Sequence, residues 1–162
     1  MSRESPEGAD GPRLRRATDA DSDALVALHR SAIRAAGSDP DDVPGNEDLR
    51  DIERAFHGAG GELLVVEDGN DPVAMGGFKP RDGDTVEVVR MAVADGARGE
   101  GYGSRVLAEL ERRAREAGYE GVVLETTARQ ERAMAFYPRR GYEETGRRTV
   151  GEYEVVAFGK PL

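Results

Sequence analysis

The stretch Arg98-Gly99-Glu100-Gly101-Tyr102-Gly103-Ser104 decides the fold class of this chain. It follows an apolar run over 85–93 that predicts a strand, and it precedes a predicted helix with an apolar stripe formed by Val106, Leu107, Leu110, Ala114 and Ala117. Three glycines let the backbone turn tightly and approach a ligand closely. The helix start adds unpaired N–H groups and the positive end of the helix dipole. Together these features predict a pyrophosphate-binding loop.

Two common phosphate-binding motifs do not match this loop. The dinucleotide fingerprint requires G-x-G-x-x-G, whereas the glycines here are spaced G-x-G-x-G. The P-loop requires G-K-[ST], and this loop contains no lysine. Glycines alone would favour a plain tight turn between a strand and a helix. Arg98, three residues before Gly101, favours anion binding instead.

Outward from the loop, the sequence pattern predicts the element order β-α-α-β-β-β-α-β-α-β-β. A capping box at 18–21 starts the first helix and Gly37 ends it, while Asn46 is predicted to cap the second helix. Residues 1–11 predict a disordered leader, which leaves 12–162 as a single domain. Hairpins in the first half and a β-α-β unit in the second predict an α/β (mixed α+β) fold with a central mixed sheet.

Three segments in order resemble the GNAT N-acetyltransferase superfamily. Arg98-x-x-Gly101-x-Gly103 resembles its acetyl-CoA pyrophosphate motif, R/Q-x-x-G-x-G/A. The run EVVRMAV at 87–93 resembles its fourth strand, and AMAFY at 133–137 followed by Gly141-Tyr142 resembles its motif A-x-x-F-Y-x-x-x-G-F/Y. The resemblance implies a GNAT-like fold: a mixed sheet of about seven strands, with splayed fourth and fifth strands, flanked by about four helices.

The resemblance also implies acetyl-CoA as the cosubstrate, without a metal. The backbone amides of the glycine-rich loop would bind the pyrophosphate, and the backbone around Met91 would pair with the pantetheine arm. Arg129 and Arg132 are candidate contacts for the 3′-phosphate, and they are equally well explained as solvated surface arginines. The implied cofactor-binding residues are Met91, Ala92, Val93, Arg98, Gly99, Glu100, Gly101, Tyr102, Gly103, Ser104, Gln130, Ala133 and Phe136.

Catalytic roles follow from the same resemblance. Tyr137 matches the family tyrosine that protonates the departing CoA thiolate, and a phenol can donate that proton. Glu87 is the candidate general base that accepts the proton of the amine, with Glu125 or a chain of water molecules as alternatives. The chain departs from the family pattern at Gln130, where many relatives have Asn, and at Pro138, directly after Tyr137.

The amino-acid composition excludes several other classes of protein and kinds of site. The 162 residues include 32 acidic and 23 basic side chains, giving a net charge of −9 and no cysteine. A disulfide framework, a thiolate metal site and a cysteine nucleophile are therefore excluded. His29 and His57 are the two histidines, too few for a His-rich zinc centre, and we interpret both as structural. The acid excess disfavours nucleic acid as a partner.

The expected location is cytoplasmic, without a membrane partner. No apolar run approaches the length of a membrane span, and the N-terminus does not resemble a signal peptide. Lys79 and Lys160 are the two lysines, and this scarcity together with the acid excess predicts a halophilic protein. A GC-rich genome would explain the few lysines but not the acid excess.

Two functions remain open from the sequence. One is transfer of an acetyl group from acetyl-CoA to the primary amine of a small molecule or peptide, by direct attack in a ternary complex. The alternative is a non-catalytic acyl-CoA-binding or sensing module, which would keep the loop at 98–103 but would not need Tyr137. A third reading is transfer of a longer acyl group. Since dimerisation is common in such folds, a homodimer is among the expected states.

Overall fold

The computed structural model describes residues 11–42 and 46–162, so the predicted leader lies almost entirely outside the described residues. The strands are β1 (Arg13–Arg16), β2 (Glu62–Asp68), β3 (Asp71–Asp82), β4 (Thr85–Val93), β5 (Gly121–Thr127), β6 (Glu143–Val150) and β7 (Tyr153–Pro161). The α-helices are α1 (Ser22–Ala35), α2 (Ile52–Ala55), α3 (Tyr102–Glu116) and α4 (Glu131–Phe136). No helix in this part of the chain combines the length and apolar character that crossing a membrane requires.

The seven strands of the described residues form one mixed sheet in the order β1-β2-β3-β4-β5-β7-β6. The pairs β1–β2, β2–β3 and β3–β4 are antiparallel. The pair β4–β5 is parallel, because α3 carries the chain back across the sheet between these two strands. On the far side, β7 pairs antiparallel with both β5 and β6. The predicted element order and the predicted mixed sheet are therefore confirmed.

Each face of the sheet carries its own core. Along β2, Leu64 and Val66 face the cluster that contains α3, while Leu63 and Val65 face the cluster that contains α1 and α2. This alternation follows from the two-residue period of a strand, and all four side chains are buried because both faces of the sheet are covered. The apolar stripe predicted for α3 is buried as expected, except at its last residue, Ala117, which is exposed.

The second predicted helix is wrong in its extent. Residues 47–50 form turns rather than a helix, and α2 begins only at Ile52. Asp51 has φ −149° and ψ 61°, outside the helical region, so the preceding turn cannot continue into α2. Asn46 therefore does not cap α2. The apolar spacing was still informative, because Leu49, Ile52 and Phe56 are fully buried.

A β-bulge interrupts the pairing of β4 with β3. Met75 pairs with Ala92 and Gly77 with Val89, so Gly76 alone faces both Arg90 and Met91. Arg90 adopts φ 62°, a left-handed conformation that costs a side-chain-bearing residue about 1 kcal/mol or more. Bulges re-aim side chains next to ligand sites.

We expect Gly61→Ala to destabilise the fold, because a Cβ at Gly61 would overlap the carbonyl oxygen of Phe78 and lie 3.3 Å from the Cα of Lys79. Neither is a movable side-chain end, so the free energy of unfolding should fall by about 1–3 kcal/mol in urea titrations. Gly83→Ala is the matched control, since a Cβ there meets nothing within 4 Å. Equal stability of the two variants would contradict this account of the β2–β3 contact.

Candidate active site

The candidate site is a cleft of about 800 Å³ that opens where β4 and β5 diverge. Their ladder covers only three pairs, ending at Glu87 and Val123. Beyond that point β5 continues against β7, while β4 continues against β3. In the described part of the chain no strand pairs with the outer edge of β4 after Glu87. The stretch from Val88 to Val93 therefore borders the cleft without a neighbouring strand on that side, so a ligand can lie alongside it.

The glycine-rich loop forms one end of the cleft. Gly99 and Gly101 have φ 82° and 86°, and a Cβ would meet nothing within 4 Å at either position. Both residues are glycine because this left-handed backbone strains other residues. Gly101 caps α3 without a side chain, so the first-turn amides at 102–104 have no intrahelical partner. These amides and the helix dipole suit a pyrophosphate.

Arginine side chains surround the loop in this acidic protein. Arg98 donates to Asp95 Oδ1 at 2.7 Å. Arg140 Nε donates to Ser104 Oγ at 2.8 Å, and its guanidinium lies 3.8 Å from the ring centre of Phe136. Arg140 therefore ties α3 to the segment after α4. Arg129 and Arg132 also line the cleft, so four arginines lie at this end of it, beside Glu131.

Tyr137 lies in the cleft wall with 6% of its surface exposed. Its ring packs edge-on against Phe136 at 5.1 Å and Tyr142 at 5.7 Å between centroids. Burial raises the pKa of Tyr137, so the hydroxyl stays protonated at neutral pH. Tyr142 donates to Glu111 at 2.7 Å, and Glu111 also accepts from Lys160 at 3.0 Å. This network fixes the ring against which Tyr137 packs.

The two candidate carboxylates stand on either side of the point where the strands diverge. Glu125 lines the cleft, and Arg148 donates to both of its oxygens, at 2.8 and 3.3 Å. Glu87 belongs to the last β4–β5 pair and is not among the lining residues. Its carboxylate lies 3.6 Å from Arg81 Nη1, and about a third of the side chain is exposed.

The structure brings most of the sequence-predicted cofactor residues together in this one cleft. The exception is Glu100, which is exposed and does not line it. Pro138 begins a short 3-10 turn directly after Tyr137, so α4 ends before the proline. The predicted residues that line the cleft are Met91, Ala92, Val93, Arg98, Gly99, Gly101, Tyr102, Gly103, Ser104, Gln130, Ala133, Phe136 and Tyr137. Residues 11–42 and 46–162 contain no cluster of three His, Asp or Glu side chains that could hold a metal.

Sequence reasoning missed a polar cluster at the other end of the cleft. His29 of α1 and Arg90 of β4 both line it. Arg90 Nη1 lies 3.4 Å from His29 Nδ1, and Arg90 Nη2 donates to Asp48 at 2.9 Å. Lys79 donates to the same carboxylate at 2.8 Å. A signal was available, because His29 follows Leu25 by four residues and so shares the apolar face of α1.

The charges of this cluster depend on one another. Burial lowers the pKa of His29, and the neighbouring Arg90 guanidinium lowers it further, to about 4, against a smaller opposing effect of Asp48. Burial alone would raise the pKa of Asp48, but its hydrogen bonds and charge interactions with Lys79 and Arg90 outweigh this and lower it. At neutral pH His29 is therefore uncharged and Asp48 is ionised.

Comparison with known proteins identifies the family. The model of the acetyltransferase (GNAT) family matches residues 24–142. The chain therefore belongs to the GNAT family. N-acetyltransferase 8F1 of Rattus norvegicus is 32% identical over 106 residues, which cover 62% of this chain. The match covers 48% of the rat protein, so the chain spans about half the length of that relative.

Solved structures confirm the predicted fold. A GNAT acetyltransferase from Staphylococcus aureus Mu50 superposes with a TM-score of 0.82 at 20% identity, covering 93% of this chain and 99% of that one. YncA from Salmonella typhimurium, solved with its cofactor acetyl-CoA, superposes with a TM-score of 0.75 at 21% identity, covering 94% of both chains. At these identities the similarity concerns the fold.

We expect the imidazole of His29 to stay neutral through the neutral pH range and to titrate only near pH 4. Nitrogen-detected NMR should show Nε2 protonated, because arginine donates and therefore Nδ1 accepts. Since unfolded histidine binds its proton near pH 6.5, the free energy of unfolding should fall as the pH drops from 6.5 toward 4.

Two variants control this measurement. Arg90→Met should raise the pKa of His29, because it removes the neighbouring positive charge. His57→Gln assigns the signals of the second histidine, which lies outside the cleft and bonds the carbonyl of Ala17 at 3.0 Å. An Nδ1-protonated tautomer, or an unchanged pKa in Arg90→Met, would contradict the described cluster.

Proposed function

We propose that this protein is an acetyl-CoA-dependent N-acetyltransferase that passes the acetyl group directly to a primary amine. The observation that carries the proposal is the convergence of three features on one cleft. These are the amides at the start of α3 that have no intrahelical partner, the edge of β4 that has no described strand beside it after Glu87, and the ring of Tyr137. Membership of the GNAT family and the acetyl-CoA held by YncA of Salmonella typhimurium support it.

The cleft offers a suitable group for each part of acetyl-CoA in turn. Residues 102–104 line the cleft, and a pyrophosphate would lie against their amides. Arg98 and Arg140 would add positive charge beside it. The pantetheine arm would then extend along β4 between residues 88 and 93, pairing with its backbone as an added strand does. The amide of Met91 would donate to the acetyl carbonyl.

The reaction then needs two proton transfers. The amine nitrogen attacks the thioester carbonyl carbon, the carbon–sulfur bond breaks, and the acetyl group passes to nitrogen. A carboxylate or a water molecule accepts the proton lost by the amine, and Tyr137 gives its proton to the thiolate. Solvent then restores the proton of Tyr137. The raised pKa of Tyr137 keeps the phenol protonated until the thiolate forms.

We expect Tyr137→Phe to lower kcat by about 100-fold or more, the size of a lost general acid, while the Kd for acetyl-CoA stays nearly unchanged. The two rings have the same shape, so packing against Phe136 and Tyr142 is kept. Release of free CoA, followed with a thiol reagent over a panel of amines, measures kcat. Calorimetry measures the Kd, and both assays are run at low salt and in molar KCl.

Tyr142→Phe is the matched control, since its hydroxyl bonds Glu111 rather than facing the cleft. This variant should keep its turnover and lose only stability. Unchanged turnover in Tyr137→Phe would overturn the acid role of Tyr137. Binding of acetyl-CoA by the wild-type protein without turnover of any amine would favour the acyl-CoA-sensing module instead, and failure to bind acetyl-CoA would overturn both.

The general base is proposed to be Glu87 or Glu125, and paired amide variants separate them. Loss of the base should lower kcat by about 100-fold and remove the dependence of kcat on its ionisation. Glu87→Gln and Glu125→Gln keep the side-chain volume, so a difference between their pH–rate profiles reports charge rather than shape. If both variants keep the wild-type profile, the proton leaves through water molecules and neither carboxylate is the base.

A further inference from the structure

The polar cluster at the end of the cleft away from the glycine-rich loop indicates which class of amine the enzyme acetylates. This inference rests on the proposed function. Four separate elements supply this cluster: His29 belongs to α1, Asp48 to the turn before α2, Lys79 to β3 and Arg90 to β4. Arg90 directly precedes Met91, whose amide would hold the acetyl carbonyl. His29 Nδ1 is 3.4 Å from Arg90 Nη1, so the imidazole lies beside the residue that precedes Met91 and lines the same cleft.

The hydrogen bond from Arg90 fixes which hydrogen bond His29 can offer. A guanidinium has donors only, so Nδ1 of His29 must act as the acceptor. A neutral imidazole with Nδ1 accepting carries its proton on Nε2. Among the described hydrogen bonds none uses Nε2, and the side chain lines the cleft. His29 therefore presents an N–H donor rather than a base.

The net charge around His29 selects the same kind of group. Arg90 and Lys79 are both positive and both bond the carboxylate of Asp48, so these three side chains together carry one net positive charge. A second ammonium group, as in a polyamine, would be repelled there. A carbonyl or carboxylate oxygen would be attracted. Ala32 and Ile33 follow His29 along the cleft wall and would accommodate an aliphatic side chain.

We propose that Nε2–H of His29 donates a hydrogen bond to an oxygen adjacent to the amine of the acceptor. The acceptor is then an α-amino carbonyl compound: a free amino acid, an amino acid amide or the N-terminal residue of a peptide. Arg90 is a positioning residue in this arrangement, because it holds the imidazole in the tautomer that donates. Asp48 holds Arg90 in turn, through hydrogen bonds at 2.9 and 3.3 Å.

The test compares two acceptors that differ only in a carboxamide group on the carbon that bears the amine. Leucinamide and isoamylamine share the amine and the aliphatic chain, but only leucinamide has an adjacent carbonyl. For each acceptor, kcat/KM of His29→Leu is divided by that of the wild type, so that differences in amine basicity cancel. This ratio should be about 0.1 for leucinamide, because a tenfold loss of kcat/KM corresponds to the loss of one neutral hydrogen bond. It should be near one for isoamylamine.

Further variants separate contact from folding. His29→Gln places an amide donor near the position of Nε2 and should recover part of the leucinamide activity. Ser31→Leu is the matched control, because Ser31 is exposed on the same helix and does not line the cleft. The Kd for acetyl-CoA should be unchanged in all three variants.

Free leucine and a leucine-initiated tripeptide distinguish the sources of the oxygen. A larger loss with leucine in His29→Leu assigns a carboxylate, and a larger loss with the tripeptide or the amide assigns a carbonyl. Equal ratios for leucinamide and isoamylamine would overturn the proposal. The same holds if calorimetry on the enzyme–CoA complex shows no preference for leucinamide. These failures leave the turnover of isoamylamine and other amines intact, whereas failure of the proposed function abolishes the turnover of every amine.

Discussion

The early end of the β4–β5 ladder is the constraint on which the rest of the site depends. Only three pairs join the two parallel strands before β5 continues with β7 and β4 continues with β3. A longer ladder would occupy the amides and carbonyls of 88–93 with β5, leaving no edge for a ligand. The bulge at Arg90 and Met91 re-aims β4 at this point. The part of β4 beyond Glu87 thus lines the cleft instead of pairing with β5.

The cluster of Asp48, Arg90 and His29 shows how this local strain is compensated. Arg90 adopts a left-handed φ, which is unfavourable for a residue with a side chain. Its guanidinium is only 15% exposed and is held by a carboxylate that is 13% exposed. Breaking such a pair leaves a poorly solvated charge, so the pair and the bulge stabilise each other. The same contacts fix the tautomer of His29 in the cleft wall.

The acidic composition and the proposed anionic ligand are compatible because charge is distributed unevenly. The chain carries a net charge of −9, yet Arg98, Arg129, Arg132 and Arg140 line one cleft together with a helix N-terminus. Most arginines outside the cleft pair with acids, as Arg15 does with Asp21 and Glu67, and within the cleft Arg98 pairs with Asp95. Net charge governs solubility and long-range attraction, whereas binding depends on the groups within a few ångströms.

The sequence by itself determined the element order, the faces that are buried and the glycine-rich loop. These depend on neighbours within about four residues, where helix and strand periods and left-handed glycines are decisive. Tertiary structure alone decided that α2 starts at Ile52 rather than Asn46, that Glu125 lines the cleft while Glu87 does not, and that His29 contacts Arg90. Each depends on strand register, on the bulge in β4 or on contacts between residues far apart in the chain, which no local pattern encodes.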